Sequence, residues 1–289
     1  MDGEIKVCNR GFHACESPFD VFDHYTMIDS RFCEVEQDGN ISKEDRGTKI
    51  CSSKIKIKAE LKLADMINLG VEWLKEITSP EKIKTSIKDN SSGNGAKIGS
   101  SGYGAQIGSS GYGAKIGSSG DGAQIGSSGY NAQIGSSGDG AKIGSSGYDA
   151  RIGSSGNDAQ IGSSGNNAQI GSSGYGAKIG SSGNNAQIGS SGDGAKIGSS
   201  GYGAKISSSG YGAKTDSTGE DCVIMCAGIN SVAKASKGSW ITLSEWSYSE
   251  GKQRYIPICV KTEFVDGEKI KADTYYSLKG GVFVEWIND

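Results

Sequence analysis

The chain has 289 residues, 47 of them glycine, and a formal net charge of −3 at neutral pH. That balance excludes the strong overall attraction by which basic proteins hold nucleic acid. The opening MDGEIKV is charged, no apolar run approaches the ~20 residues of a membrane span, and seven cysteines stand at irregular spacing, so the sequence reads as cytoplasmic, with reduced thiols and neither signal peptide nor membrane helix.

Composition divides the chain into an N-terminal α+β capping domain over 1–86, a repeat region over 87–239 and an aromatic-rich β cap over 240–289. In the first, IKVC and GFHAC read as two short strands joined at Asn9-Arg10-Gly11. Ser17-Pro18 is a helix start leading into FDVFDHY. RFCEVE and TKICSSKIKIKAEL read as strands, with a turn at Asp38-Gly39-Asn40 between them. A helix over 63–77 places Met66, Ile67, Val71, Leu74 and Ile77 near one face. A second short helix, KIKTSIK after Ser79-Pro80, is expected to cover the open end of the repeat region.

From Ala96 to Asp221 a nine-residue unit, A-[KQR]-I-G-S-S-G-[YDN]-[GND], runs fourteen times, with isoleucine at thirteen of its third positions and Thr215 at the last. Within A-x-I the alternation has the two-residue period of a strand with one face inward. The remaining six residues are turn chemistry: glycine at the seventh position, and only Gly, Asn or Asp, which tolerate positive φ, at the ninth. The unit therefore predicts a β-solenoid, two units per coil, with a triangular coil of three as the alternative. The calcium-binding nonapeptide roll has a different register, since glycine fills most places of its liganding aspartate. Cys222-Val223-Ile224 and Ser231-Val232-Ala233 continue the pattern in degenerate form. SWITLSEW, YIPICVKTEFV, the Asp266-Gly267 turn and TYYSLKGGVFVEW then predict a small antiparallel sheet at the far end.

With two units per coil, the eighth positions fall on two edges. One reads Asn94, Tyr112, Tyr130, Tyr148, Asn166, Asn184, Tyr202, and the other Tyr103, Asp121, Asp139, Asn157, Tyr175, Asp193, Tyr211. Tyrosine joins apolar area to a hydrogen-bonding tip, so Tyr112, Tyr130, Tyr148 and Tyr202 are the first candidate contact residues. Cys8, His13, Cys15 and Cys33 are zinc ligands by type, but lack the paired spacing of a strong motif; no metal or cofactor is expected.

GFHAC followed by DVFDHY, then RFCEVE, TKICSSKIKIKAEL, the glycine-rich repeats and a tail with GSW, FVDGEKIKAD and YYSLKGG resemble an uncharacterised family of bacteria, phages and mobile elements. That resemblance brings no established activity. The G-F-H strand before a segment ending in Tyr25 is also similar to a piece of the ADP-ribosyltransferase fold, which would give His13, Tyr25 and Glu34 or Glu36 a nucleotide site.

The leading expectation is a non-enzymatic solenoid presenting a rigid surface to a protein partner. The mobile-element resemblance points to a host defence or nucleoprotein complex, with this chain as a phage-type inhibitor and no direct strong binding to nucleic acid or membrane. An NAD-dependent enzyme built on His13 is the second class. An ice- or surface-binding array is the third, disfavoured by long Lys, Gln and Arg side chains where a lattice-matching array carries threonine.

Overall fold

A computed structural model describes residues 5–7, 10–25, 30–43, 48–77, 89–91 and 93–287. Contacts divide it into Met1–Trp73 and Leu74–Asp289. Among the described residues no helix is long and apolar enough to cross a membrane.

The first unit holds β1 (Phe12–Cys15), a 3-10 turn (Asp20–Asp23), β2 (Phe32–Lys43), β3 (Lys49–Leu61) and the start of α1 (Leu63–Ile77). Its sheet is antiparallel in the order β1-β3-β2. Ser17 is not the expected N-cap: that place is held by Phe19, which makes no side-chain capping bond, although Ser17 Oγ accepts the Asp20 N–H at 3.3 Å just ahead of it. The helix that follows is only one 3-10 turn, because Phe19 and Phe22, three residues apart, are both 2% exposed, and side chains at i and i+3 eclipse in that geometry.

Asp38-Gly39-Asn40 is not the predicted turn. It lies inside β2 as a bulge: Gly39 has φ +82, the register shifts between Asp38 and Ile41, and Ser53 Oγ accepts the Asn40 N–H at 2.9 Å. Asp-Gly favours a hairpin and a bulge for the same reason, a tolerated positive φ, and here strand pairing on both sides decides. Helix α1 has the predicted bounds, with Met66 and Ile67 buried. The expected strand IKVC is represented by a single Lys6–Arg10 bridge, and the expected helix KIKTSIK lies outside the described residues.

The second unit is the predicted β-solenoid. After β4 (Asp89–Ser91), four-residue strands begin every nine residues, from β5 (Lys97–Ser100) to β18 (Lys214–Ser217), followed by β19 (Val223–Cys226) and β20 (Val232–Ala235). Odd-numbered strands form one parallel sheet and even-numbered strands the other. Partners lie eighteen residues apart, as Ile125, Ile143 and Ile161 do, so the coil holds two units and the stack about eight turns.

The repeat isoleucines are no more than 8% exposed, and each repeat alanine from Ala114 to Ala213 is fully buried. The inward alternation runs one step further than A-x-I. The fifth-position serines, read from sequence as turn residues, also point inside: Ser145, Ser163, Ser181 and Ser199 are 0% exposed. In the first coil Ser100 and Ser109 Oγ accept the N–H groups of Gly102 and Gly111, both at 3.4 Å.

The two restricted turn positions have different causes. At the ninth, Asn131, Asp149, Asp158, Asn167 and Asn185 have φ of 53 to 57, and the glycines there are left-handed too. At the seventh, the backbone is ordinary, but a Cβ on Gly129 or Gly147 would land on the carbonyl oxygen of the glycine one coil below.

β21 (Trp240–Ser249) continues the odd sheet with one residue fewer in the coil, Trp240 pairing with Val223. The expected C-terminal sheet is two hairpins, one added to each solenoid sheet: β22 (Arg254–Phe264) beside β21, and β23 (Tyr276–Lys279) with β24 (Val282–Glu285) beside β20. Gly280 and Gly281, at φ +58 and +71, make the tight turn of the second hairpin, and both donate to the Glu245 carboxylate, at 2.8 and 2.9 Å. Val265, Ile270, Tyr276 and Leu278 from this tail join the solenoid core.

Where the fourth-position glycine gives way on the even sheet, Asp216 and Lys234 stand one coil apart and form a 3.0 Å ion pair, with the Tyr275 hydroxyl donating to Asp216 at 3.4 Å. Burial pushes the Asp216 carboxyl above the usual range, with Lys234 opposing. Beside it Cys226 shares a hydrogen bond with Thr215 at 2.9 Å, and burial raises its thiol to about 11.

Two outcomes are expected. Gly147→Ala should lower the urea midpoint by the equivalent of ~3 kcal/mol or more, since backbone must move, whereas Gly135→Ala, whose Cβ meets nothing within 4 Å, should leave it within ~0.5 kcal/mol. In the native protein, exposed Cys33 should react promptly with a thiol reagent and buried Cys222 and Cys226 only on unfolding; prompt labelling of Cys226 would contradict the packing.

Candidate functional site

Eighteen-residue stacking places the eighth-position residues on the two predicted edges. On the first, Tyr112, Tyr130, Tyr148 and Tyr202 are 57, 51, 42 and 52% exposed. Tyr130 and Tyr148 lie face to face, centroids 5.2 Å apart and planes within 9°, an arrangement with apolar gain on an exposed edge.

Each choice at the eighth position has a structural consequence. Asn or Asp there accepts the backbone N–H of the eighth residue in the next coil: Asn184 takes Tyr202 at 3.0 Å, Asn166 takes Asn184 at 2.8 Å, and Asp121 takes Asp139 at 2.9 Å. Tyr gives up that bond, and at Tyr112, Tyr148, Tyr202 and Tyr211 the ring is held by the hydroxyl instead. Asn131 Nδ2 donates to Tyr112 at 2.8 Å, and Asn230 Nδ2 to Tyr211 at 2.8 Å, both nineteen residues on. At the same offset Asp221 binds the Tyr202 hydroxyl and raises it above the usual phenol range. Tyr148 is held by Asn166 at 2.7 Å, eighteen residues on. These anchors were missed in the sequence, although the nineteen-residue offset between Tyr at the eighth position and Asn or Asp at the ninth was there to be counted.

The two sheets differ on their outer faces. On the even sheet the fourth-position glycines Gly108, Gly126, Gly144, Gly162, Gly180 and Gly198 are all buried, as are Gln160 and Lys178, at 7 and 6% exposure. On the odd sheet the equivalent glycines are open: Gly99, Gly117, Gly135 and Gly171 are exposed, and Gly153 and Gly189 half-buried. Lys97, Lys115, Gln133, Arg151, Gln169, Gln187 and Lys205 form a ladder beside them, and together these rows line one continuous groove that reaches Val223 and Met225. The ladder follows the tyrosine edge by three residues in each unit, so that edge borders one side of the groove, and the edge with Asp121, Asp139 and Asp193, three residues beyond the odd strands, borders the other.

Among the N-terminal candidates, His13 and Glu36 are not brought together. His13 pairs with Cys51 on β3, while Glu36 pairs with Lys56, five residues further along that strand, a separation of roughly 16 Å at ~3.3 Å per residue. The Glu36 carboxylate is held by Lys58 at 2.7 Å, and Tyr25 is 58% exposed beyond the 3-10 turn. Cys8, the first of the possible zinc ligands, lies outside the described residues, and among the described residues no three His, Cys, Asp or Glu side chains group together.

Comparison with known proteins finds a family model, described as a domain of unknown function (DUF7666), matching residues 1–69. The match covers the N-terminal α+β segment and ends before the repeats. No curated protein and no solved structure matches the chain.

Asn184→Ala should lower stability by about 1 kcal/mol, the worth of the lost bond to Tyr202. Asn184→Asp, which keeps the acceptor, should recover most of it; equal loss in both variants in urea unfolding would contradict the capping role.

Proposed function

We propose that this protein is a non-enzymatic binding solenoid that engages a protein partner through the lateral face bearing Tyr112, Tyr130, Tyr148 and Tyr202. The observation that carries the reading is the anchored tyrosine edge. Stacking at Tyr130–Tyr148 and hydroxyl bonds from Asn131 and Asn166 hold exposed rings in place before any partner arrives. Preorganised aromatic side chains on a rigid support lose little entropy on binding. The separation of His13 from Glu36 along β3 favours this reading over a nucleotide-processing one. On the mobile-element resemblance, the partner to try first is a host defence complex, which the solenoid would inhibit by occupying its surface.

The test compares affinity capture from natural-host lysate by the wild type and by the Tyr112→Ala/Tyr130→Ala/Tyr148→Ala variant. A stoichiometric protein held by the wild type and lost by at least ~10-fold in the variant, with unchanged circular dichroism, is expected, the aromatic centre of an interface carrying most of its energy. Absence of any stoichiometric partner would overturn the proposal.

A further inference from the structure

The fourth-position glycines of the odd sheet are not needed by the fold. Gly99, Gly117, Gly135, Gly153 and Gly171 have no unusual φ, and a Cβ built on any of them meets nothing within 4 Å. Further along the same row the chain carries side chains without disturbance, Ser207 beside Gly189 and Met225 beside Ser207. Glycine weakens a strand and here relieves no internal crowding. What it provides is a floor of bare backbone along the ladder of long side chains. On the even sheet, the matching row is buried throughout.

The chemistry of the open face is one-sided. From Lys97 to Lys205 its strands present Lys97, Lys115, Arg151 and Lys205 and no carboxylate. Beyond them the face turns apolar, with Val223 40%, Met225 48%, Trp240 47% and Phe264 39% exposed and the Trp240 and Phe264 rings 5.0 Å apart. Eight strands at ~4.8 Å make a face ~34 Å long, and four residues of strand make it ~13 Å wide. An α-helix is ~10–12 Å across and covers that length in ~23 residues.

We propose that this face docks an acidic α-helical segment of the partner protein, lying along the solenoid axis with an apolar end seated on Val223, Met225, Trp240 and Phe264. The inference rests on the protein-binding reading above and adds the chemistry of what is bound. Four cations over ~34 Å are too sparse for a duplex carrying one charge per ~1.7 Å. A second copy would set four cations against four.

The experiment is fluorescence anisotropy of the full chain with three probes: a fluorescein-labelled 24-residue helical peptide of Ala and Glu ending in Leu-Trp-Leu, its counterpart with Lys for Glu, and a 24-base-pair DNA duplex. The Glu peptide should bind at least ~10-fold more tightly than the Lys peptide, and its affinity should fall by at least ~10-fold in Gly135→Thr/Gly153→Thr/Gly171→Thr and in Lys115→Glu/Arg151→Glu. Both variants should keep the wild-type unfolding midpoint. The threonine variant leaves charge untouched, so its loss separates seating in the groove from general attraction. Equal binding of both peptides, tighter binding of DNA, unchanged affinity in the threonine variant, or self-association of the wild type that those threonines abolish would each overturn the proposal. If the peptide fails while tyrosine-dependent capture succeeds, only the assigned occupant falls.

Discussion

The least tolerant contact in the solenoid is backbone on backbone, the seventh-position glycine of one coil against the carbonyl of the glycine below it. That contact sets the coil spacing at one corner of every turn and admits no side chain. With the corner fixed, the strand after it must pair in register with the strand eighteen residues earlier. The isoleucines then have no choice but to stack on isoleucines, and the alanines on alanines. The ninth position completes the bend by going left-handed, which Gly, Asn and Asp accept at little cost. One contact without tolerance thus carries a large number of weaker ones that have some.

A repeat of this kind builds two equivalent faces, yet the molecule uses them differently. The even sheet is buried along its glycine row, and near the C terminus it holds Asp216, Lys234 and Tyr275 in one cluster. The odd sheet keeps its row open. Individual character is confined to the second, eighth and ninth positions, where the repeat lets residue type vary. At the eighth the choice is between a backbone acceptor and an aromatic ring, and each coil that takes the ring loses a capping bond. Tyrosine at Tyr112, Tyr130 and Tyr148 in successive coils is therefore not the arrangement that backbone satisfaction alone would select.

Period and alternation made the coil and its inward isoleucines legible in the sequence, because a strict nine-residue period leaves few other ways to bury the Ala and Ile of each unit; the two-unit turn was one of two readings until the eighteen-residue pairing was seen. Single letters with two physical meanings were not legible. Glycine at the seventh position and glycine at the ninth look alike, though one is there for contact and the other for φ. Serine at the fifth looks like turn chemistry and is an inward residue, because the strand runs one step beyond the last apolar side chain. Asp38-Gly39 reads as a hairpin and is a bulge for want of any local sign that Asp38 and Ile41 stay paired to β3. The separation of His13 from Glu36 was not legible either, since strands β1 and β2 carry them to different stretches of β3.

The far end of the stack is closed rather than left as a regular edge. Parallel coils end in unpaired strand edges, which invite another chain to continue them. Here the odd sheet turns back on itself through β22, an antiparallel strand that carries Pro257, without an N–H to offer, and faces a bulge between Glu245 and Trp246. The even sheet ends in a tight hairpin whose glycine turn is tied to Glu245. Both terminations spoil the regular ladder that a further coil would need, so growth from that end is opposed at two independent places. Among the described residues the surface left regular, long and open is the lateral one, which repeats at the ~4.8 Å spacing of its strands.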